Sequence, residues 1–516
     1  MAGGAPPVGS GVTAGGSGGV RDRMVEHARA RPSRSAPVVT QLDDFLAEPD
    51  PAVALRLWFG DHRAIAGTPD GATIVALLDA DIARIDRLLS AQVDAILHHP
   101  RFQALEGAWR ALRYLTDQST GDTRVKTRFL TATWSEVCRD LERSIEFDQS
   151  NLWDMIYSAQ FDTPGGEPYG LLVGLYEVQH RRGPGHPTDD VSALQTLCQI
   201  AGASFAPFIV GASPGLFGLD TFTRLGAPLD LDVIFRQPEY VRWRSLRELE
   251  DSRFLGITVP RVLMRQPWGD HSQRLDRFRY REDVTDRDPT KLVWVPASVA
   301  FAAVVIRAFR EHRWFANIRG APQDTISGGL VANLPDCPFP TEPRGVAIRP
   351  ATDVAVSDRL ELSLNDHGIM ALCDIKDTTY QVFHGCPSLQ RPKRYDRAEA
   401  TNNARLSAML QYMLCTARFS HYVKVMMRDR VGAFTTAEEC ERFLHAWLLR
   451  YVTRNDNLPM ERLARFPLRE AQVQVREAAG KPGSFNATLH LLPHFQLDTI
   501  ETGLRLVTEL PKSRAA

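Results

Sequence analysis

The sequence predicts a mixed α/β (α+β) protein with layered sheets and helices. Through the middle of the chain, patterns typical of buried strands at 169–176 and 205–210 flank an amphipathic helical pattern at 191–203. A second observation is a change near residue 390, after which a helical series is followed by alternating, strand-like segments. These two features indicate layers of sheet and helix rather than an all-helical or all-β protein.

Composition sets limits on function. The chain has 516 residues, of which 44% are hydrophobic, so it can bury a large core over two or three domains. Lys and Arg number 61 and Asp and Glu 62, which gives a formal net charge of −1. Such a chain has no overall field that would attract nucleic acid or an anionic membrane. Low net charge permits self-association, although many enzymes are equally neutral.

Cysteine usage and hydropathy indicate a reduced compartment. Seven cysteines, none at C-x-x-C spacing, predict buried thiols rather than disulfides or a zinc site. The sequence has no run of about 20 apolar residues, and it begins without the apolar core of a signal peptide. We therefore expect a cytoplasmic protein without membrane insertion.

The N-terminal part divides into two predicted segments. Residues 1–38 are rich in Gly, Ala and Pro, and we expect a disordered extension. Residues 39–70 read as a helical arm. Its first helix, at 40–46, begins after a capping Thr and carries the apolar residues Leu42, Phe45 and Leu46, and a second follows at 52–59.

Residues 71–390 are predicted to form the main domain. A long helix at 71–97 has an apolar stripe at three- and four-residue steps, formed by Val75, Leu78, Ile82, Ile85, Leu89, Val93 and Ile96. Pro100 interrupts it, and 102–115 continues as a helix with Leu105, Trp109 and Leu112 expected to point inward. Further elements are a strand at 127–131, helices at 134–145 and 293–312, a loop at 320–345 and mixed structure at 348–375.

Residues 391–516 are predicted to form a C-terminal domain. Helices are expected at 398–417, 419–431 and 436–453. Alternating segments at 471–477, 484–492 and 501–510 then predict terminal strands, with a tight turn at 480–483.

One motif favours an enzyme. Residues 211–215 match the G-x-S-x-G nucleophile elbow of serine hydrolases, with Ser213 as nucleophile after a predicted strand. The residue after the serine is Pro214, which has no N–H to donate to an oxyanion. Loss of one such donor typically lowers the rate by about 10²–10³-fold. An ordinary strand-to-turn connection is therefore the better interpretation.

Other candidate sites are weaker still. Gly211, Gly215 and Gly218 are not followed by a phosphate-binding lysine motif, and adjacent His98 and His99 point about 100° apart on a helix. The basic run at 391–397 is typical of a solvated turn, although it could meet an acidic protein surface. With no convergent acid, base or metal cluster, we expect a structural protein without cofactors rather than an enzyme.

Several motifs in order resemble one family. They are Ile96-Leu97-His98-His99-Pro100 with 102–110, the stretches 145–150 and 163–170, 206–208 before the 212–214 turn, Pro260-Arg261, 317–320, 404–406, 418–424 with Arg428-Asp429, 480–483 and 493–498. Together they resemble the large subunit of the type VI secretion sheath, the TssC/VipB family. The chain departs from the family pattern at Gly174-Leu175-Tyr176, after Gly320 and in its N-terminal extension.

The resemblance implies a contractile tail-sheath-like fold and a set of partners. These are a small sheath subunit (TssB/VipA-like), further copies of the chain in hexameric rings, an inner tube protein (Hcp-like), a baseplate and a recycling AAA+ unfoldase (ClpV-like). A phage-like or extracellular contractile injection sheath is the alternative within this class.

The resemblance also implies roles for particular residues. C-terminal strands would be shared between subunits, through Phe485, Ala487, Leu489, Leu491, Leu504, Leu506 and Val507. The helix with Leu42, Phe45 and Leu46 would bind the unfoldase. From their own chemistry and spacing, Glu106, Trp109 and Arg110 are expected to be structural, with Trp109 in the core and Glu106 paired to Arg110 at i, i+4.

Overall fold

A computed structural model describes residues 44–59, 71–269, 278, 280–285, 288–321, 325–336, 351–376, 378–429, 436–455, 458–477, 485–494 and 504–509. It has two compact units, which meet in sequence between Leu88 and Leu89. Residues 44–47 are helical. The α-helices of six or more residues are α1 Pro51–Phe59, α2 Gly71–Leu97, α3 Pro100–Ser119, α4 Trp134–Arg143, α5 Asp190–Ser204, α6 Leu231–Arg236, α7 Val241–Glu248, α8 Ser298–His312, α9 Asp358–Asp366, α10 Ala398–Ser407, α11 Leu410–Asp429, α12 Ala437–Leu448 and α13 Met460–Arg465.

The strands are β1 Leu172–Val178, β2 Phe208–Ala212, β3 Leu255–Val259, β4 Arg261–Leu263, β5 Trp294–Pro296, β6 Leu330–Val331, β7 Ile369–Asp374, β8 Gln381–Phe383, β9 Leu468–Glu477, β10 Phe485–Pro493 and β11 Leu504–Glu509. A helical turn at Asn151–Trp153 continues into a π-helix at Asp154–Asp162. The remaining helical turns are 3₁₀: Phe147–Gln149, Pro214–Phe217, Phe222–Arg224, Pro238–Tyr240, Asp251–Phe254, Pro289–Lys291 and Leu449–Tyr451.

The main sheet lies between two layers of helices. Its strand order is β1-β2-β3-β7-β8-β6, with parallel pairing from β1 to β7 and antiparallel pairing at β8 and β6. Alternate residues of β7 pack into two different hydrophobic cores, one on each face of the sheet. Ile369 and Ala371 belong to one core, and Met370 and Leu372 belong to the other. The α/β fold with layered sheets and helices is therefore confirmed.

The C-terminal sheet has one buried face. Its order is β11-β10-β9, antiparallel throughout. The inward side chains of β9 and β10 pack with α11 and α12, and this core also takes in Phe205, Phe254 and Trp314. Trp314 stacks on Phe419 with the ring centroids 4.0 Å apart. The predicted terminal strands are confirmed, and the turn predicted at 480–483 lies outside the described residues.

Some predicted elements are wrong in position or type. The strand predicted at 127–131 has no ladder partner among the described residues, and Lys126 and Arg128 contact Glu167 and Tyr169 through their side chains. The helix predicted from residue 293 begins at Ser298, since Trp294–Pro296 pairs with β4.

The predicted break at residue 418 is wrong as well. Helix α11 runs unbroken through it, and the chain turns earlier, where Met409 forms a bridge with Pro387 and the Leu410 N–H donates to the Cys386 carbonyl. Because of this pairing with backbone distant in sequence, α10 ends ten residues before the predicted helix end at 417. Local periodicity does not indicate such pairing.

The inward orientation predicted for α3 is also wrong. Leu105 and Trp109 are 56% and 65% exposed, and Leu112 is half-buried. The buried residues are Gly107, Ala111 and Leu115, one turn apart. A Cβ on Gly107 would lie 3.0 Å from Val295 Cγ1, so the small residues let α3 approach β5 closely. Backbone proximity, rather than side-chain size, decides which face of α3 is buried.

Helix α2 shows a similar inversion of the predicted pattern. Of the predicted apolar stripe, Val75, Leu78, Ile82, Leu89 and Ile96 are exposed, and Ile85 and Val93 are half-buried. Asp81, on the predicted solvated side, is 6% exposed and accepts a hydrogen bond from Trp58 Nε1 at 3.1 Å. Exposed apolar stripes of this kind mark surfaces that meet other proteins.

Candidate functional site

The first candidate site is a buried cluster of charges on α3. Arg110 Nε donates to Glu106 Oε1 at 2.8 Å, which confirms the predicted pair. Arg265 Nε donates to the same oxygen at 2.8 Å, and its terminal nitrogens donate to both oxygens of Glu282 at 2.5 and 3.0 Å. The side chains of Arg265 and Glu282 are 5% and 0% exposed. The cluster therefore joins α3 to the segment after β4.

Other groups complete this charge cluster. The Trp268 N–H donates to Glu282 Oε2 at 2.8 Å, and His98 Nε2 lies 3.1 Å from Glu282 Oε1. Burial alone would raise the pKa of Glu282, but the hydrogen bonds from Arg265 and Trp268 hold it below its ordinary value. His98, Glu106 and Arg110 of the motif thus hold a distant segment, and the sequence spacing gave no sign of Arg265 or Glu282.

A second cluster lies on α11, whose cations bind backbone carbonyls from the middle of the chain. Arg428 Nη1 donates to the carbonyls of Gln160, Thr163 and Gly166 at 2.9, 3.1 and 3.2 Å. Lys424 Nζ donates to the Ala203 carbonyl at 3.3 Å. It also lies 4.9–5.1 Å from the ring centroids of Tyr157, Phe161 and Phe205.

His421 belongs to the same cluster. Its Nε2 lies 2.9 Å from the Ser204 carbonyl, and burial lowers its pKa to about 3, so the ring is neutral and donates from Nε2. Side chains of the 418–428 motif therefore bind α11 to the π-helix and to α5. These are structural contacts rather than a catalytic arrangement.

The predicted nucleophile elbow is a capped turn. Ser213 follows β2, and its Oγ accepts a hydrogen bond from the Gly215 N–H at 3.2 Å at the start of the 3₁₀-helix Pro214–Phe217. No histidine of the described chain is hydrogen-bonded to Ser213. The geometry matches a strand-to-turn connection.

Two buried carboxyl groups have strongly raised pKa values. Burial raises the pKa of Asp353 to about 7, and the pKa of Asp374 to about 6. Asp353 Oδ1 accepts from the Arg261 N–H at 3.0 Å, and Asp374 Oδ2 accepts from Thr352 Oγ1 at 3.0 Å. Acids with perturbed pKa values can mark catalytic sites, but Asp353 and Asp374 are hydrogen-bonded to groups inside the protein core.

Neither metal-binding groups nor membrane helices are found in the described ranges. No set of three His, Cys, Asp or Glu side chains there could hold a metal ion. None of the helices described is long and apolar enough to cross a membrane. The six described cysteines are free and buried, as predicted, and Cys337 lies outside the described residues.

The predicted strand residues belong to the chain's own core. Phe485 is 7% exposed, and Ala487, Leu489 and Leu491 are 0% exposed, all packed in the C-terminal core. β10 is paired along both edges, with β9 and with β11. Leu504, Leu506 and Val507 lie in β11, whose backbone register with β10 is defined. These four inward side chains of β10 are thus unavailable to a neighbour while this core is intact.

The two edges of the C-terminal sheet differ. The Val475 N–H of β9 donates to Glu441 Oε2 of α12 at 2.9 Å, which occupies a donor on that edge. β11 is the other edge strand. Strand edges with free N–H and C=O groups are sites where other chains add strands. In the described sheet, the β9 edge therefore has an occupied backbone donor, and β11 forms the opposite edge.

The N-terminal residues predicted to bind an unfoldase are placed in part. Phe45 is half-buried, with its ring centroid 5.2 Å from that of Trp58, and Leu46 is 71% exposed. Leu42 lies outside the described residues. Only Leu46 is thus shown to present its side chain to solvent.

Beyond these surfaces and clusters, sequence relationships identify the family of the chain. Two family models match: the EvpB/VC_A0108 tail sheath N-terminal domain over residues 79–390, and the EvpB/VC_A0108 tail sheath gpW/gp25-like domain over residues 399–510. The type VI secretion system sheath protein TssC1 of Pseudomonas aeruginosa PAO1 is 39% identical over 442 residues, which cover 85% of this chain and 87% of that protein. The chain therefore belongs to the VipB/EvpB family of type VI secretion tail sheath proteins.

Two solved structures are remotely similar. A chain of the anti-feeding prophage baseplate, determined by cryo-EM, has 10% identity and a TM-score of 0.34 over 77% of this chain and 82% of that chain. A chain of the contracted anti-feeding prophage sheath has 10% identity and a TM-score of 0.33 over 61% and 65% of the two chains. The family is established by the sequence relationships alone.

Proposed function

We propose that this chain is the large subunit of the contractile sheath of a type VI secretion system. It pairs with a small sheath subunit, and the pairs polymerise in hexameric rings around an inner tube. The observation that carries this function is the 39% identity to a type VI sheath protein over 85% of the chain. The exposed apolar faces of α2 and α3 support it, since a protein that acts alone rarely leaves such faces uncovered.

The proposal includes the remaining assembly partners. Contraction, started at a baseplate, drives the inner tube outward, and an AAA+ unfoldase recycles the contracted sheath in the cytoplasm. The chain contributes structure and no catalysis. In this arrangement 71–390 and 391–516 form the sheath domains, whereas the predicted extension 1–38 and part of the predicted arm 39–70 lie outside the described residues.

Co-expression with the small sheath subunit encoded beside it tests the function. We expect the two proteins to sediment together as a polymer, whereas either protein alone stays in the supernatant. If the two proteins stay separate and unsedimented, the proposed function is wrong.

Strand sharing between subunits is proposed to take place at β11. Its outer edge has no neighbouring strand in the described sheet, while the buried residues of β10 hold the subunit's own core. A strand from a neighbour that pairs there keeps backbone hydrogen bonds while subunits rotate during contraction.

Deletion of 501–516 is expected to abolish polymerisation and to leave the subunit folded, because it removes β11 but keeps β9 and β10. The measurements are sedimentation with the small subunit and circular dichroism of the variant. A deletion of 510–516, which keeps β11, is the matched control and should polymerise as the wild type does. Normal polymers from the 501–516 deletion would rule out strand sharing at β11.

The N-terminal helix is proposed to bind the unfoldase through Leu42, Phe45 and Leu46. An exposed apolar residue on a short helix suits capture in a groove, and Leu46 is 71% exposed. Double replacement of Leu42 and Leu46 by Asp is expected to abolish unfoldase-driven disassembly, measured by loss of turbidity with ATP, and to leave assembly unchanged. Disassembly at the wild-type rate would contradict this role.

A further inference from the structure

Helix α3 is apolar on two opposite faces, of which the described part of the chain covers one and leaves the other exposed. Gly107, Ala111 and Leu115 pack inside the protein. Phe102, Leu105 and Trp109 are 36%, 56% and 65% exposed. Steps of three and four residues place these three side chains on one face. We call Phe102, Leu105 and Trp109 the α3 outer face.

The charge cluster holds this face in a fixed position. Glu106 and Arg110, which flank it on one side, are bound to each other and to Arg265. Trp268, also 50% exposed, lies under Arg110 with 5.7 Å between the guanidinium carbon and the ring centroid. A rigid face with exposed aromatic rings has the composition of an interface centre, where Trp and Tyr dominate the binding energy.

Cations stand at both ends of the α3 outer face. Arg101 is exposed and has no carboxylate partner within the described part of the chain. Arg113 is 84% exposed and lies 3.8 Å from an exposed Asp117 carboxylate, a pair of little strength. Two copies that paired face to face about a two-fold axis would bring these cations together. The charges therefore favour a different protein with carboxylates at the matching positions.

The geometry points to a helix as the occupant. The eight residues from Phe102 to Trp109 span about two turns, roughly 10.5 Å from the first Cα to the last, and the spacing of the apolar side chains forms a ridge that fits between the ridges of another helix. We propose that the α3 outer face docks an amphipathic helix of the small sheath subunit, with acidic residues at both ends of its apolar stripe. This inference rests on the proposed function, which supplies the small subunit as partner.

Replacement of Trp109 by Asp in the full chain tests the inference. Because the side chain is exposed, the variant should fold, and its thermal unfolding midpoint should match the wild type within about 2 °C. The amount of chain recovered with a tagged small subunit is expected to fall about 30-fold, as for loss of a central interface residue. Leu105→Asp should act in the same way.

Leu362→Asp is the matched control. Leu362 is an apolar residue that is 64% exposed, as Trp109 and Leu105 are exposed, but it lies on a different helix, α9. It should bind as the wild type does. Arg101→Glu with Arg113→Glu should weaken binding several-fold, and the loss should shrink at high salt.

The outcomes separate this inference from the proposed function. If the wild type does not bind the small subunit, both are overturned. If the wild type binds and Trp109→Asp binds equally well, only the α3 inference is overturned. An equal loss of small-subunit binding with Leu362→Asp would likewise contradict the α3 inference. So would a Trp109→Asp variant that no longer self-associates but still binds the small subunit.

Discussion

Replacement of Arg265 by Met is expected to lower the free energy of unfolding by about 3–5 kcal/mol. Arg265 is the shared cation of Glu106 and Glu282, and its side chain is 5% exposed. Without it, Glu282 stays buried without its main partner, and the cost of an uncompensated buried charge is large. Urea denaturation of the isolated chain measures the change.

A matched arginine on α3 gives the control. Arg113 is 84% exposed and its nearest carboxylate is 3.8 Å away, so Arg113→Met should change the free energy of unfolding by about 0.5 kcal/mol or less. If Arg265→Met were as mild as Arg113→Met, the charge cluster would not hold α3 to the segment after β4.

The effect of Arg265→Met should depend on pH. The pKa of Glu282 is lowered in the folded chain, so its stabilising contribution is present above the unfolded value of 4.5. It is lost as the pH falls through the folded pKa. The stability difference between wild type and Arg265→Met should therefore be largest near neutral pH and should shrink in acid, where Glu282 takes up a proton.

Replacement of Leu489 by Ala is the second large expected effect, a loss of about 3–5 kcal/mol from the free energy of unfolding. Leu489 is 0% exposed and lies in the core between the C-terminal sheet and α11. Truncation removes buried methyl groups and leaves a cavity. The isolated chain should show the full loss of unfolding free energy, because the contacts of Leu489 lie within the chain.

Asn486→Ala is the control for Leu489→Ala. Asn486 lies on the same strand, but on the exposed side. Its replacement should change the free energy of unfolding by about 0.5 kcal/mol or less. If Leu489→Ala left the isolated chain unchanged and weakened only the polymer, Leu489 would be an interface residue, as the family resemblance implies, and the core described here would be wrong.

The layered fold and the terminal strands could be predicted from periodicity. Helix α2 has the predicted bounds, and β9, β10 and β11 fall within two or three residues of the predicted segments. Boundaries fixed by distant pairing could not be predicted. Helix α11 begins where Leu410 bonds the Cys386 carbonyl, a contact that no local pattern contains.

The candidate sites were predictable only where partners are close in sequence. The pair of Glu106 and Arg110 follows from its four-residue spacing, whereas Arg265 joins it from 159 residues away. For Trp109, size and apolarity favoured the core. The small residues Gly107 and Ala111 are buried instead, because they allow the backbone of α3 to approach β5 more closely. A large apolar residue in a family motif can thus belong to the surface.

Negative-stain electron microscopy of the co-expressed chain and small sheath subunit tests the central claim most directly. We expect long hollow tubules that contain both proteins and that are absent when either protein is expressed alone. Discrete soluble particles with the small subunit present, at concentrations where both proteins are folded, would contradict the assignment of this chain as a sheath subunit.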